Sequence, residues 1–188
     1  MPSRNVLFDL LAPIYDRVIR SPDPRRLQTL LHLPIEGWML DAGGGTGRVS
    51  AQFRAQVGQL VISDLSHAML RQAYGKCTRC PVRSRVERLA FGDGVFERVL
   101  VVDALHHFSD QRRGLAELLR VLQPGGRLVI EEPDVNRFAV KLVALGEKLA
   151  LMQSHFLKPA KIQAYLHTLG YRAQIEREGY FAWVVVDK

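Results

Sequence analysis

The segment Asp41-Ala42-Gly43-Gly44-Gly45-Thr46-Gly47 restricts the fold more than any other part of the chain, because its four glycines separate an apolar run from a helix-like stretch. Without a Cβ the backbone turns tightly there and lets a ligand come close. The N–H groups at the start of the following helix are then expected to face that ligand. Two familiar phosphate patterns fail on the letters. A P-loop needs Gly-Lys-Ser/Thr at its end, whereas Gly47 is followed by Arg48 and Val49. G-x-G-x-x-G from Gly43 meets Arg48 at its sixth position. What the segment does match is acid-x-G-x-G-x-G, with Asp41, Gly43, Gly45 and Gly47 in register.

The surroundings alternate between strand-like and helix-like stretches. Trp38-Met39-Leu40 reads as a buried strand, and a helix is expected from Thr46 to about Val57. Leu60 to Asp64 is a second strand, and Ser66 begins a helix ending near Gly75. A weak strand is expected around Val82 to Val86. Phe96 to Val102 holds the β-branched run of a strand covered on both faces. Asp110 to Leu122 reads as helix and Arg127 to Glu132 as strand, with Gln123-Pro124-Gly125-Gly126 turning between them. Such alternation predicts an α/β fold with a parallel sheet and helices on both faces.

The ends differ. Leu7, Phe8, Leu11, Tyr15 and Val18 recur at helical spacing, interrupted by Pro13. Asp23, in the breaker cluster Ser21-Pro22-Asp23-Pro24, is placed to cap a short helix through Leu33. Asn136 is placed to cap a long helix striped by Phe138, Leu142, Leu145, Leu149, Met152 and Phe156. A further helix runs from Pro159 to Leu169 with Gly170 at its C′ position. Strands around Ala173–Arg177 and Tyr180–Val186 predict an antiparallel pair.

The length of 188 residues suits one domain, and no linker or repeat divides it. We divide it into an N-terminal helical cap (1–35), a core (36–132) and a region of lid helices with the terminal strand pair (133–188). No apolar run reaches the roughly 18 residues of a membrane span. Asp9 and Asp16 interrupt the N-terminus, against a signal peptide. The 2 cysteines make no disulfide framework, so a cytoplasmic setting is expected. The net charge of +7 is concentrated locally, with seven basic residues against three acids between Arg71 and Arg98. It permits an anionic partner without requiring one.

The glycine pattern, with Asp64 seventeen residues beyond Gly47 at the end of the next strand, resembles class I S-adenosylmethionine-dependent methyltransferases. Three other segments extend the resemblance: Phe96 through Asp103 to Phe108, Leu119 through Pro124-Gly125-Gly126 to Leu128, and the opening run from Phe8-Asp9 to Tyr15-Asp16. The last is similar to the opening helix of the quinone-biosynthesis-like, small-molecule branch (methyltransferase type 11). The resemblance implies a Rossmann-like, doubly wound, seven-stranded and mostly parallel sheet with an antiparallel C-terminal strand pair and N-terminal helices. It implies S-adenosyl-L-methionine as cofactor and a small-molecule acceptor as partner, for a monomer or homodimer.

By the same resemblance, Gly43 and Gly45 cradle the methionine part, with Gly47 completing the motif. Asp64 accepts the ribose hydroxyls, Leu65 lies along the adenine, and Asp103 belongs to the cofactor site. Asp41 either shapes the turn and meets the cofactor amine or is a plain turn carboxylate. Tyr15 either closes over the methionine end or packs on the core. His106 and His107 follow the fourth strand, where the acceptor would sit, and are the candidate catalytic residues, one of them serving as base. One departure stands out: Arg85-Val86 occupy the place of an expected acidic pair for the adenine amine, and a guanidinium cannot accept a hydrogen bond. Glu87 or a backbone carbonyl would have to take over.

No Asn/Asp-Pro-Pro-Tyr/Phe follows the fourth strand and no cysteine lies near it, which points away from amino-group and cytosine-5 methylation. O-, C- or S-methylation of a small molecule remains. RNA or another anionic substrate is the alternative, as is a catalytically weak protein on the same fold. Cys77-Thr78-Arg79-Cys80 lacks the second pair a zinc site needs and is read as two loop cysteines, with a redox pair as the rival. Met152, His155 and Phe156 are expected as lid or pocket residues.

Overall fold

A computed structural model describes residues 6–18, 23–77, 81–134 and 155–188. Three short helices lead: α1 (Val6–Leu11), α2 (Tyr15–Val18) and α3 (Pro24–Leu30), the last N-capped by Asp23. They are followed by β1 (Ile35–Ala42), β2 (Val57–Asp64), α4 (His67–Ala73), β3 (Val82–Arg83), β4 (Phe96–Val102), α5 (Gln111–Val121) and β5 (Leu122–Pro133). After the stretch outside the described residues come α6 (Pro159–Thr168), β6 (Ala173–Glu178) and β7 (Phe181–Asp187).

The seven strands form one sheet in the order β3-β2-β1-β4-β5-β7-β6. The pairings from β3 to β5 are parallel, and β7 pairs antiparallel with both β5 and β6. This is the Rossmann-like, doubly wound arrangement the sequence led us to expect. Its cause is visible in the alternation of side chains across each strand. On β4, Val99 and Val101 join a core with Leu115, Leu118 and Ile162 from α5 and α6, whereas Leu100 joins the opposite core with Leu27, Phe53 and Leu70. On β2, Val61 faces the first core, and Leu60 and Ile62 face the second. Strands buried on both faces carry the unbroken apolar runs seen in the sequence.

Two local expectations need correction. The helix expected from Thr46 to Val57 is a 3-10 segment confined to Ser50–Gln56. Gly43, Gly45 and Gly47 take positive φ of 75°, 53° and 71°, which a right-handed helix cannot contain. The weak third strand shrinks to the two residues of β3. The long helix expected after Asn136, with Met152, lies outside the described residues, as does Cys80. Among the described residues no helix is long and apolar enough to cross a membrane.

Candidate active site

The strand order reverses its direction of growth between β1 and β4, and ligands of open α/β sheets bind beyond the strand C-termini at such a point. A cavity of about 610 Å3 lies there. Its lining includes Tyr15, Asp41, Gly43, Gly45, Asp64, Leu65, Asp103 and His107. Eight of the ten site residues singled out in the sequence are therefore brought together.

Gly47 and His106 are not in this lining. Gly47 serves packing, since a Cβ there would stand 2.5 Å from Cδ1 of Ile62. His106 is 1% exposed, its ring stacked on Phe156 at 4.1 Å between centroids. That contact also removes Phe156 from the cavity lining, and His155 donates its backbone N–H to the carbonyl of His106 at 2.7 Å.

The amides of the four turn glycines all have partners within the protein, so those glycines contribute shape rather than free donors. Gly43 and Gly44 both donate to the carbonyl of Ser63, at 2.8 and 3.1 Å, and Gly47 donates to Gly44 at 2.8 Å. The amide of Gly45 donates to Oδ2 of Asp64 at 2.9 Å. A Cβ on Gly43 would meet that of Ala104 at 2.8 Å, whereas one on Gly45 would find only Asp64 Oδ2, at 3.9 Å. Gly45 therefore opens space beside the Asp64 carboxylate.

Asp64 is held in place by the backbone N–H groups of Gly45, Ser66 and Leu65, that of Ser66 on Oδ1 at 2.7 Å. A carboxylate has about four lone-pair sites, so acceptor capacity remains for a ligand. Burial raises its pKa despite the N–H groups that favour the charged form. Asp41 is tucked beneath the turn, where its Oδ2 accepts from the Ser50 hydroxyl at 2.5 Å, and burial pushes its pKa up to about 6. Leu65 stands 39% exposed at the cavity mouth. Tyr15 lines the cavity, meets the edge of Phe8 at 6.3 Å, and has its pKa raised by burial.

Sequence reasoning missed Arg48. Its guanidinium stands 5.8 Å from the Tyr15 ring centre. Burial raises the pKa values of Asp41, Asp103 and Glu131, and the Arg48 charge opposes all three shifts. It is the common cation of an acid-rich crevice. Also missed were two clasps from the cap. Asp9 accepts from the Ser66 hydroxyl at 2.6 Å, at the N-cap of α4. Asp16 accepts from the Thr46 hydroxyl and, at 2.7 Å, from Lys76 Nζ, which itself donates to the Thr46 carbonyl at 2.8 Å. Both clasps join side chains distant in sequence, and no local pattern announces them.

At the other end, Arg85 lines the cavity, as does Glu87. Glu87 Oε1 accepts from the amides of Ser109 and Asp110 at 2.8 and 3.2 Å. Its Oε2 lies 3.8 Å from Arg85 Nε. An acid therefore stands at the place where the sequence offered an arginine. The thiol of Cys77 reaches the Ala73 carbonyl at 3.8 Å. No group of three or more His, Cys, Asp or Glu suited to a metal occurs among the described residues.

Glu131, 2% exposed, accepts from Trp183 Nε1 at 2.6 Å, and burial pushes its pKa up to about 7. A carboxyl whose pKa is higher folded than unfolded binds its proton more tightly in the native state, so ionising it as the pH rises costs stability. For Glu131 the window runs from about 4.5 to about 7. The unfolding free energy is expected to fall across it, and Glu131→Gln should flatten the fall by about 3 kcal/mol. Urea unfolding of both proteins between pH 4.5 and pH 8 checks this, and parallel profiles would refute it.

The fold and the glycine-and-aspartate cavity define a class, and comparison with known proteins agrees. Residues 40–130 are matched as a methyltransferase domain, and this supports a class I S-adenosylmethionine-dependent methyltransferase. The ubiquinone/menaquinone biosynthesis C-methyltransferase UbiE of Idiomarina loihiensis is 35% identical over 104 residues, covering 50% of this chain and 41% of that protein. The enzyme of the same name from Haemophilus ducreyi is 34% identical over 104 residues, covering 50% and 40%. The chain thus matches about two-fifths of the length of these relatives. A solved methyltransferase structure from Thermotoga maritima superposes with a TM-score of 0.79 at 19% identity, covering 97% of this chain and 98% of that one. One from Aquifex aeolicus gives 0.72 at 18%, covering 96% of each chain. At such identities these two structures speak to the fold.

Proposed function

We propose that this chain transfers a methyl group from S-adenosylmethionine to a small aromatic or quinone-like acceptor, with ring-carbon methylation as the leading chemistry. The observation that carries the reading is one cavity joining the Gly43–Gly45 turn and Asp64 to an aromatic end made by Phe8, Tyr15, His107 and Phe108. The names of the relatives, C-methyltransferases of ubiquinone and menaquinone biosynthesis, support the acceptor class.

The residues present fit the cofactor. When bound, S-adenosylmethionine supplies an electrophilic sulfonium methyl for in-line displacement. The free lone pairs of Asp64 would accept the ribose hydroxyls, beside the open space at Gly45. Leu65 would cover the adenine face, and Glu87 would accept from its amino group in place of the missing acid. Asp103 and Asp41 would face the ammonium of the methionine end. Phe8 meets the His107 ring edge-on at 4.9 Å and would help close the acceptor end against water.

His107 is the histidine placed to touch an acceptor. Burial, reinforced by the charge of neighbouring His106, lowers its pKa to about 3. It is therefore neutral throughout the physiological range and offers a lone pair to an acceptor hydroxyl. So low a pKa makes it a poor proton acceptor, and its work is to orient the hydroxyl. His107→Ala is expected to lower turnover about tenfold to a hundredfold while S-adenosylmethionine affinity stays within about twofold. The pH–rate profile should show no inflection from this group between pH 5 and pH 9.

The test is methyl-label transfer to a panel of hydroxylated aromatic rings that includes a demethylated quinol, alongside calorimetry with S-adenosylmethionine. Labelled product from a ring acceptor is expected. No heat at millimolar cofactor would overturn the reading.

A further inference from the structure

Glu132 was given no role by the sequence, yet its buried carboxylate makes three contacts beside the cavity. It ends β5 at 4% exposure. Its Oε1 accepts from the amides of Ala104 and Leu105, at 3.1 and 2.8 Å. Its Oε2 meets Nδ1 of His106 at 2.6 Å. His106 is clamped from the other side by the stacked ring of Phe156. One carboxylate thus fastens the turn after β4 by three contacts, in a dry site where ionic hydrogen bonds are about twice as strong as neutral ones.

The residues flanking that turn, Asp103 and His107, both line the cavity. Asp103 adopts a left-handed backbone with φ of 54°. For a residue with a Cβ this conformation is strained, and it persists only where the surroundings over-determine it. Glu132 binds the two amides that immediately follow, so it supplies much of that determination.

We propose that Glu132 is a positioning residue of the cofactor site, holding the Asp103 carboxylate against the charged methionine end of the ligand through the Ala104–His106 turn. This rests on the reading of the cavity as an S-adenosylmethionine site. Glu132 touches no ligand itself; it acts through Asp103, and a merely structural role would leave a different signature.

The experiment is a double-mutant cycle read by calorimetry with S-adenosylmethionine. Glu132→Ala and Asp103→Asn should each weaken binding about tenfold, and the double variant should be no weaker than the weaker single, because both remove one interaction. Glu132→Gln keeps a carbonyl for the two amides and should lose only about threefold. Leu118→Ala, a fully buried core change on α5, provides a control that loses stability without touching the turn, and its affinity should stay within about twofold. A low-field imidazole proton resonance from the His106–Glu132 contact should disappear in Glu132→Ala. If that variant does not fold, Glu132→Gln takes its place in the cycle with its smaller effect.

Binding by the wild-type chain combined with unaltered affinity in the Glu132 variants overturns the proposal, as do losses that multiply in the double variant. Equal weakening by Leu118→Ala overturns it too, by reducing the effect to stability. No binding by the wild-type chain is a separate outcome, which removes the cofactor reading and this proposal together.

Discussion

Replacing Asp64 with alanine is expected to weaken S-adenosylmethionine binding by at least about a hundredfold. Two ribose hydroxyls donating to a carboxylate contribute about 1.5 to 3 kcal/mol each, so losing both amounts to about 3 kcal/mol or more. A second loss adds to it, because the same carboxylate anchors the amides of Gly45 and Ser66. Without it the glycine turn and the start of α4 lose their common fastening. Asp64→Asn keeps one acceptor oxygen and should fall between, near tenfold. Calorimetry on the folded variants checks the series, and an alanine variant within about fivefold of wild type would remove Asp64 from the ribose site.

The second large effect concerns stability and comes from a glycine outside any motif. Gly58 lies on β2 opposite the bulge of β1, where the pairing register shifts between Ile35 and Trp38. A Cβ at this position would stand 2.0 Å from the carbonyl oxygen of Glu36 and 3.2 Å from that of Gly37. Both obstacles are backbone in adjacent central strands, so neither yields as a flexible side chain would. Gly58→Ala is expected to cost about 3 to 5 kcal/mol and to lower Tm by about 10 °C or more. Gly75→Ala is the useful contrast. No atom lies within 4 Å of its added Cβ, and only the positive φ of 80° penalises it, so about 1 kcal/mol is expected. Thermal unfolding followed by circular dichroism separates the two, and equal losses would refute the clash argument.

Gly58 also shows where reading the sequence stops. The strand runs, the glycine turn and Asp64 were legible because each is a local pattern, with an apolar period, a positive-φ requirement and a carboxylate at a strand end. His107 and Asp103 were legible for the same reason, following β4 directly. The stretch after Thr46 misled because its composition permits a helix, whereas pairing of the turn with Ser63 delays one until Ser50. His106 and His107 are adjacent letters with opposite fates, one buried on Glu132 and Phe156 and the other on the cavity wall. Only the partner at position 132 decides between them, and that contact spans 26 residues. Arg48 was visible merely as the residue that excludes a P-loop. Its place among the acids depends on four separate elements converging.

The two clasps of the cap carry one further consequence. Leu10 and Ile14 of the leading segment are 74% and 45% exposed, and its ties to the rest of the fold are the carboxylates of Asp9 and Asp16, the buried Ala12 and the edge-on contact of Phe8 with His107. Partly solvated polar ties of this kind are worth about 1 kcal/mol or less each, and water replaces them readily. The leading segment through Val18 can therefore open at a fraction of the global unfolding free energy, while α3, with Leu27 and Leu30 buried in the core, stays with the sheet. How often the crevice admits solvent and how firmly the sheet holds together are then two separate quantities, set by different atoms and free to be tuned apart.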